Sequence, residues 1–188
     1  MNFLGHFYLS KNDPDLIVGN YIADFVKGKK FMEYPSRISE GIMMHREIDH
    51  YTDRHQMVRS GRKRLFGKYR HYSGVIIDMY YDHYLAKLWQ NYSQDSLSSF
   101  AEDIYNTIEA NWSNLPAQSK YMFPYMKSGN WLLRYASTKG IGQSLDGMSR
   151  RLNNNSKLEQ AVHQLHEFYE DFQEEFEEFI IDIKRQFS

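Results

Sequence analysis

Apolar residues recur at helical spacing along most of this chain of 188 residues, in segments such as NFLGHFYL, GVIIDMYYDHYLAKLW and FEEFIIDI. Glycine and proline, the residues that interrupt helices most strongly, number only 11 and 4. Long periodic segments with few breakers predict an all-α fold. The predicted helices cover roughly residues 2–10, 16–26, 36–53, 54–69, 73–91, 96–111, 117–126, 129–137, 140–152 and 157–186.

Several residues mark the ends of these helices. Asp13 and Asp15 can cap the second helix, and Gly28 is a typical stop for it. Ser36 is the expected N-cap of the third helix, and Asp53 is either an N-cap for the fourth helix or a ligand. The polar run at 153–156, NNNS, predicts a turn.

The composition narrows the class of protein. With 41% hydrophobic residues and no linker, the chain is expected to form one domain, residues 1–188. The net charge of −1 favours no nucleic acid partner, and the absence of cysteine excludes disulfides, thiolate nucleophiles and cysteine-ligated metals. No apolar run approaches the ~20 residues that span a bilayer, and the start of the chain lacks the basic residues of a signal peptide. We therefore expect a soluble cytoplasmic protein without a membrane partner.

Charged side chains interrupt the most apolar of the predicted helices. Asp78 and Asp82 in VIIDMYYDHYLAKLW are one turn apart, about 40° around the helix, and His83 follows them. Two unpaired carboxylates in a core would each cost several kcal/mol, so something must compensate them. His45 and Asp49 are a second pair on one helical face.

Two further polar residues, His6 in NFLGHFYL and Asp24 in YIADFV, also lie in apolar surroundings. One interpretation is that these groups converge on a metal ion inside a helical bundle. Carboxylate and imidazole ligands without sulfur suit Mn²⁺, Fe²⁺ or Mg²⁺, with Zn²⁺ also allowed, and the natural reaction of such a site is hydrolysis. The other interpretation is ordinary core packing and salt bridges, for example between Asp49 and Arg46 or Arg54. Spacing alone does not choose between them.

Six segments, in this order, resemble the acyl carrier protein phosphodiesterases. They are MNFLGHFYLS, VGNYIADFVKG, GIMMHREIDHYTD, IDMYYDHYLAKLW, NWLLRY at 130–135 and LDGMSRR at 145–151. The resemblance extends from residue 1 to about residue 151, and the last helix matches only in character. It implies an all-α fold distantly like the HD-type metal phosphohydrolases. It also implies Mn²⁺-assisted removal of the 4′-phosphopantetheine arm from the serine of holo acyl carrier protein.

Asp24, His45, Asp49 and the Asp82-His83 pair stand where the family's motifs have acidic residues and histidine, and we hypothesise the following roles for the polar residues. The expected metal ligands are Asp24, His45, Asp49 and Asp82, with Asp78 as a ligand or a neighbour of one. His6 or His83 would protonate the leaving serine oxygen, and Arg46 and Lys27 would neutralise the phosphoryl oxygens. One departure is that the His-Asp doublet of HD-type enzymes is replaced here by Asp82-His83.

Residues 59–72, RSGRKRLFGKYRHY, are strongly basic and contain no acid. A basic patch beside the metal helices would attract an acidic carrier protein, although a solvated helix face or a nucleic acid site has the same composition. The expected partner-binding residues are Arg59, Arg62, Lys63, Arg64, Lys68 and Arg70. Two other functions remain open: a metal phosphohydrolase acting on a nucleotide or another small phosphoester, and a helical binding module without catalysis.

Overall fold

The structure is a computed structural model that describes residues 1–152 and 156–187. Every regular element in that range is a helix, which confirms the all-α prediction. The α-helices are α1 (Phe3–Leu9), α2 (Pro14–Ile22), α3 (Ser36–Arg54), α4 (Gln56–Tyr69), α5 (Ser73–Lys87), α6 (Leu97–Ala110), α7 (Ala117–Ser128), α8 (Trp131–Arg134), α9 (Thr138–Arg151), α10 (Ala161–Glu167) and α11 (Tyr169–Gln186). Among the described helices, none combines the length and apolar character that crossing a bilayer requires.

Some helix ends differ from the sequence prediction. The long helix predicted over 157–186 is a short 3₁₀ helix, Leu158–Gln160, followed by the two α-helices α10 and α11, which are separated because Phe168 has φ −117° and ψ 35°, outside the α-helical range. Helix α2 ends at Ile22, so Asp24 lies in a short 3₁₀ turn, Ala23–Phe25, that follows it. Most of the turn predicted at 153–156 lies outside the described residues.

The helix caps are only partly as predicted. Asp13 caps α2 by accepting hydrogen bonds from the amides of Asp15 and Leu16. Ser36 is the first residue of α3 and not its cap, and His55, not Asp53, caps α4 with its ring nitrogen. Cap positions depend on the local backbone path, which several candidate residues in one segment can satisfy.

Helix α5 lies at the centre of the molecule, in contact with α1, α4, α9 and α11. Its residues from Met79 to Ala86 are all buried, as expected for a helix that is apolar on every side. Helix α11 is amphipathic and buries Phe172, Phe176, Phe179, Ile180 and Ile183. Of the two aspartates of α5, Asp82 is fully buried and Asp78 is partly exposed, so Asp82 in particular needs a specific partner inside the core.

Helices α2 and α3 pack closely because glycines meet at their crossing. A Cβ atom on Gly19 would lie 2.3 Å from the carbonyl oxygen of Ile38 and 2.6 Å from the Cα of Gly41. Only a residue without a side chain permits this approach. His45 follows Gly41 by one helical turn, so this contact sets the distance between α3 and the residues that follow α2.

Candidate functional site

Two histidines and two aspartates meet between α1, α3 and the turn after α2. Asp49 bridges the imidazoles: its Oδ1 lies 3.2 Å from His6 Nε2, and its Oδ2 lies 3.3 Å from His45 Nε2. The two rings stack with centroids 3.9 Å apart and an interplanar angle of 13°. Asp24 Oδ1 lies 3.6 Å from His45 Nε2. We call His6, Asp24, His45 and Asp49 the His/Asp cluster.

The cluster combines buried nitrogen atoms with accessible carboxylates. His6 and His45 are buried, whereas the side chains of Asp49 and Asp24 are 49% and 67% exposed. All four residues line a cavity of about 170 Å³, together with Asp78 and residues at the start of α1. A small ligand can therefore reach the nitrogen atoms from solvent.

Asn20 orients the ring of His6. The amide nitrogen of Asn20 donates to Ser10 Oγ at 2.9 Å and to the carbonyl oxygen of Leu16 at 3.2 Å, so its Oδ1 faces His6 Nδ1 at 3.2 Å. Nδ1 of His6 therefore carries the proton, and Nε2 carries the lone pair. This pattern, in which one ring nitrogen donates and the other points into a cavity, is usual for a histidine that binds metal.

The charges of the cluster are strongly coupled. Burial, followed by the nearby His45, lowers the pKa of His6 to about 4. Burial also lowers the pKa of His45, but hydrogen bonds and charges from Asp24 and Asp49 outweigh it and raise this pKa to about 9. Burial raises the pKa of Asp49, yet His45 and His6 hold it below its usual range. His6 is therefore neutral near pH 7, while Asp49 is ionised.

This arrangement fits a divalent cation. The lone pair of neutral His6 Nε2 faces two oxygen atoms, the Met1 carbonyl at 3.1 Å and Asp49 Oδ1 at 3.2 Å. Electron pairs that face one another repel, and a cation between them would turn the repulsion into coordination. Ligand atoms of His6, His45 and Asp49 lie within 4.8 Å of one another, and Asp24 adjoins them. Nitrogen and carboxylate donors without sulfur suit Mn²⁺, Fe²⁺ or Zn²⁺.

Asp82 lies outside the His/Asp cluster. It is fully buried, and it accepts hydrogen bonds from the amides of Leu4 at 2.8 Å and of Asn2 and Gly5 at 3.1 Å. Burial raises the pKa of Asp82 to about 7, although the Met1 amino group and these amides act in the opposite direction. The carboxylate thus holds the N-terminal end of α1, where helix amides lack partners. This placement does not support its expected role as a metal ligand.

Asp78 also interacts with the start of α1, but at the edge of the cavity. Its Oδ1 accepts from the Met1 amino group at 2.8 Å. Both acidic side chains of α5 are therefore compensated by the positive end of a neighbouring helix and its amino group. The partners that the two carboxylates of α5 were expected to need therefore come from the start of α1.

Neither His83 nor the two cations expected near phosphate are among the residues that line the cluster cavity. His83 is 1% exposed, and its ring nitrogens lie 2.7 Å from the Tyr135 carbonyl oxygen and 2.8 Å from the Tyr169 hydroxyl. Arg46 donates to the carbonyl oxygens of Val26 and Gly28 at 2.8 and 3.1 Å. The side chain of Lys27 is exposed. The structure thus gives His83 and Arg46 contacts that stabilise the fold.

The basic segment divides into two faces. Arg64 points inward, and its Nη1 lies 3.0 Å from Glu175 Oε1. Lys68 Nζ lies 3.5 Å from Gln164 Oε1. The other residues line an open pocket of about 600 Å³ together with Phe66, which is 52% exposed. We call this second group the basic face: Arg59, Arg62, Lys63 and Arg70.

The sequence of the whole chain matches one family. A family model described as acyl carrier protein phosphodiesterase matches residues 1–183. The chain belongs to the acyl carrier protein phosphodiesterase family. Curated relatives carry the same name: a protein of Yersinia pestis is 32% identical over 99% of this chain and 97% of its own length. A protein of Serratia proteamaculans is 30% identical over 99% of this chain and 97% of its own length. A protein of Photorhabdus laumondii is 32% identical over 95% of this chain and 91% of its own length. No solved structure matches the chain.

Within this acyl carrier protein phosphodiesterase fold, sequence reasoning missed the role of Asn20. A signal was present, because Asn20 is a polar residue in the apolar segment LIVGNYI and is 1% exposed in the structure. Buried amides are almost always hydrogen bonded. The partner could not be inferred, since it lies on a different helix.

Proposed function

We propose that this protein hydrolyses the phosphodiester bond between 4′-phosphopantetheine and a serine of holo acyl carrier protein. The proposal also includes a divalent cation, with Mn²⁺ as the first candidate, held by the His/Asp cluster. Family membership and the name of the relatives support the substrate. The observation that carries the chemistry is the convergence of His6, His45 and Asp49, which come from two helices, on one accessible cavity.

The reaction needs water and no further reactant. A water oxygen forms a bond to phosphorus, the bond from phosphorus to the serine oxygen breaks, and the serine oxygen takes up a proton while the water loses one. The bound cation would acidify the water and neutralise charge on the phosphoryl oxygens. Asn20 keeps the lone pair of His6 Nε2 directed into the site, and His45 keeps Asp49 ionised. The products are the apo carrier protein and 4′-phosphopantetheine.

The basic face supports an acidic protein partner. It lies next to the cluster along α3, where Asp53 of its pocket follows Asp49 by one helical turn. None of the described residues forms an ion pair with Arg59, Lys63 or Arg70. Free positive charge beside a site speeds association with an acidic protein, and added salt weakens the effect.

The decisive test is to incubate the purified protein and Mn²⁺ with holo acyl carrier protein and to follow the intact mass. We expect loss of one phosphopantetheine unit, with no loss after removal of metal by a chelator. Titration calorimetry adds a readout that does not depend on activity: Asp49→Ala should lower the affinity for Mn²⁺ by at least about tenfold. Cleavage by metal-free protein, or Mn²⁺ affinity unchanged in Asp49→Ala, would contradict the metal assignment. An unchanged carrier mass with turnover of small phosphoesters would favour a small-molecule phosphohydrolase.

Charge reversal tests the basic face. The double variant Arg59→Glu/Lys63→Glu should raise the KM for holo acyl carrier protein about tenfold at low salt, because it places like charge against an acidic partner. The matched control, Lys139→Glu/Lys157→Glu, changes the net charge equally at exposed positions outside the basic face. Equal effects of both double variants would show that net charge alone matters, and the docking role would then be abandoned.

A further inference from the structure

A second cavity opens beside the His/Asp cluster, and we propose that it binds the pantetheine arm of the substrate. This inference rests on the proposed function, since it assigns a place to one part of the same substrate. The cavity has a volume of about 380 Å³, within the range of small-ligand sites. It shares Asn2, Phe3, Asp24 and Val75 with the smaller cavity of the cluster. A group attached to a phosphate at the cluster can therefore enter it directly.

The walls of this cavity suit the chemistry of the arm. Phe3, Val75, Met122, Trp131 and Met148 are partly buried apolar residues that pack on the core and leave one side open to the cavity. The arm carries a geminal dimethyl group, which apolar walls can cover. It also carries two amides, and the polar side chains Gln143 and Ser144 in the lining can hydrogen bond to them.

The basic face, the His/Asp cluster and the larger cavity match the order of the carrier protein, the phosphodiester and the pantetheine arm in the substrate. The basic face and the larger cavity share no residue; the larger cavity opens into that of the cluster, and the pocket of the basic face begins at Asp53, one turn of α3 after Asp49. A serine-linked phosphodiester has the carrier protein on one side of phosphorus and the arm on the other. Placing the carrier on the basic face leaves the arm to occupy the larger cavity.

Two segments that resemble the family gain a role from this assignment. NWLLRY and LDGMSRR contribute no residue to the His/Asp cluster. In the fold they form parts of α8 and α9, and Trp131, Arg134, Met148 and Arg151 line the larger cavity. The chemistry at phosphorus does not require these residues, whereas recognition of the arm does.

Gly147 offers a way to fill the cavity without disturbing the fold. It lies on α9 in the cavity lining, and a Cβ atom built there has no atom within 4 Å. Gly147→Ala, Gly147→Leu and Gly147→Trp should lower kcat/KM for holo acyl carrier protein progressively, by at least about tenfold for Trp, because binding energy from the arm is lost. The affinity for Mn²⁺ should stay within twofold of wild type. The control Arg150→Trp places the same indole ring at an exposed residue of α9 outside the cavity lining and should have no such effect.

A binding experiment tests the same idea without catalysis. In metal-free solution, saturation-transfer NMR should detect the methyl protons of free pantetheine bound to wild-type protein and to Arg150→Trp, but not to Gly147→Trp. Equal transfer with wild type and Gly147→Trp, or none with wild type, would overturn the assignment. An activity loss in Gly147→Trp matched by an equal loss of Mn²⁺ affinity would overturn it too. If wild-type protein releases no arm from the carrier, the proposed function itself fails, and the NMR result still reports on the cavity.

Discussion

Replacing Asp82 tests how the start of α1 is held in place. Asp82→Ala removes the carboxylate that accepts hydrogen bonds from the amides of Asn2, Leu4 and Gly5. Leu4 and Gly5 are buried, and each buried donor that loses its acceptor costs about 1–3 kcal/mol. Removing a buried carboxylate offsets part of this loss, since desolvation of its charge is unfavourable. We expect the free energy of unfolding to fall by about 3 kcal/mol, a decrease in Tm of about 6–12 °C for a chain of this size.

The assay is urea denaturation at pH 7, combined with amide hydrogen exchange. The amides of Leu4 and Gly5 should lose protection in Asp82→Ala, and the affinity for Mn²⁺ should fall because α1 carries His6. Asp82→Asn should be destabilised less than Asp82→Ala, since its amide oxygen can still accept from the Asn2 and Gly5 amides while its NH₂ group faces the amide of Leu4. Because asparagine and aspartate have nearly the same volume, the comparison of Asp82→Asn with Asp82→Ala separates the effect of lost hydrogen bonds from the effect of lost side-chain volume.

Asp103→Ala is the control, because Asp103 is an exposed aspartate on α6. Its expected effect on stability is within about 0.5 kcal/mol. If Asp82→Ala lost no more stability than Asp103→Ala and kept the α1 amides protected, Asp82 would not hold α1. The explanation for the buried acids of α5 would then be wrong.

Three further predictions concern the site and its supports. Asn20→Leu should lower Mn²⁺ affinity about 10–100-fold in calorimetry, because it frees the ring of His6 from its orienting acceptor. Gly41→Ala should cost about 2–3 kcal/mol in urea denaturation, since its Cβ would lie 2.7 Å from the Leu16 carbonyl oxygen. Burial lowers the pKa of His83 to about 4, so the unfolded chain, in which the pKa is about 6.5, binds the proton first on acidification. Stability should therefore fall by up to about 3 kcal/mol as the pH drops from 6.5 towards 4.

Each of these predictions has a control. Asn20→Asp keeps an acceptor for His6 and should retain most of the Mn²⁺ affinity. Gly67→Ala, at a helical position with no atom within 4 Å of the new Cβ, should stabilise the protein by about 0.5–1 kcal/mol. His83→Gln should reduce the acid dependence of stability and leave the part that His6 contributes, because the pKa of His6 is also lowered to about 4. An acid dependence in His83→Gln as steep as that of the wild type would assign the effect to other groups.

Local features of the fold and site were predictable from the sequence, because helical period and capping chemistry depend on neighbouring residues. The apolar periodicity identified the helices, and the four-residue spacing placed His45 and Asp49 on one face of α3, where both contact the site. The break at Phe168 was not predictable, since the apolar stripe continues across it. A backbone change of this kind depends on what the two helices pack against.

The sequence by itself determined which residues carry charge within apolar helices and required that those charges find partners. Only the tertiary structure decided which partners they find. His6 joins His45 because α1 packs beside α3, whereas Asp82, one turn from Asp78, accepts from the Gly5 amide 77 positions away. Arg64 turns inward to Glu175, 111 positions away, while its neighbour Lys63 faces the open pocket. Helical geometry repeats every few residues and can be read locally, but contacts between helices depend on packing of the whole chain.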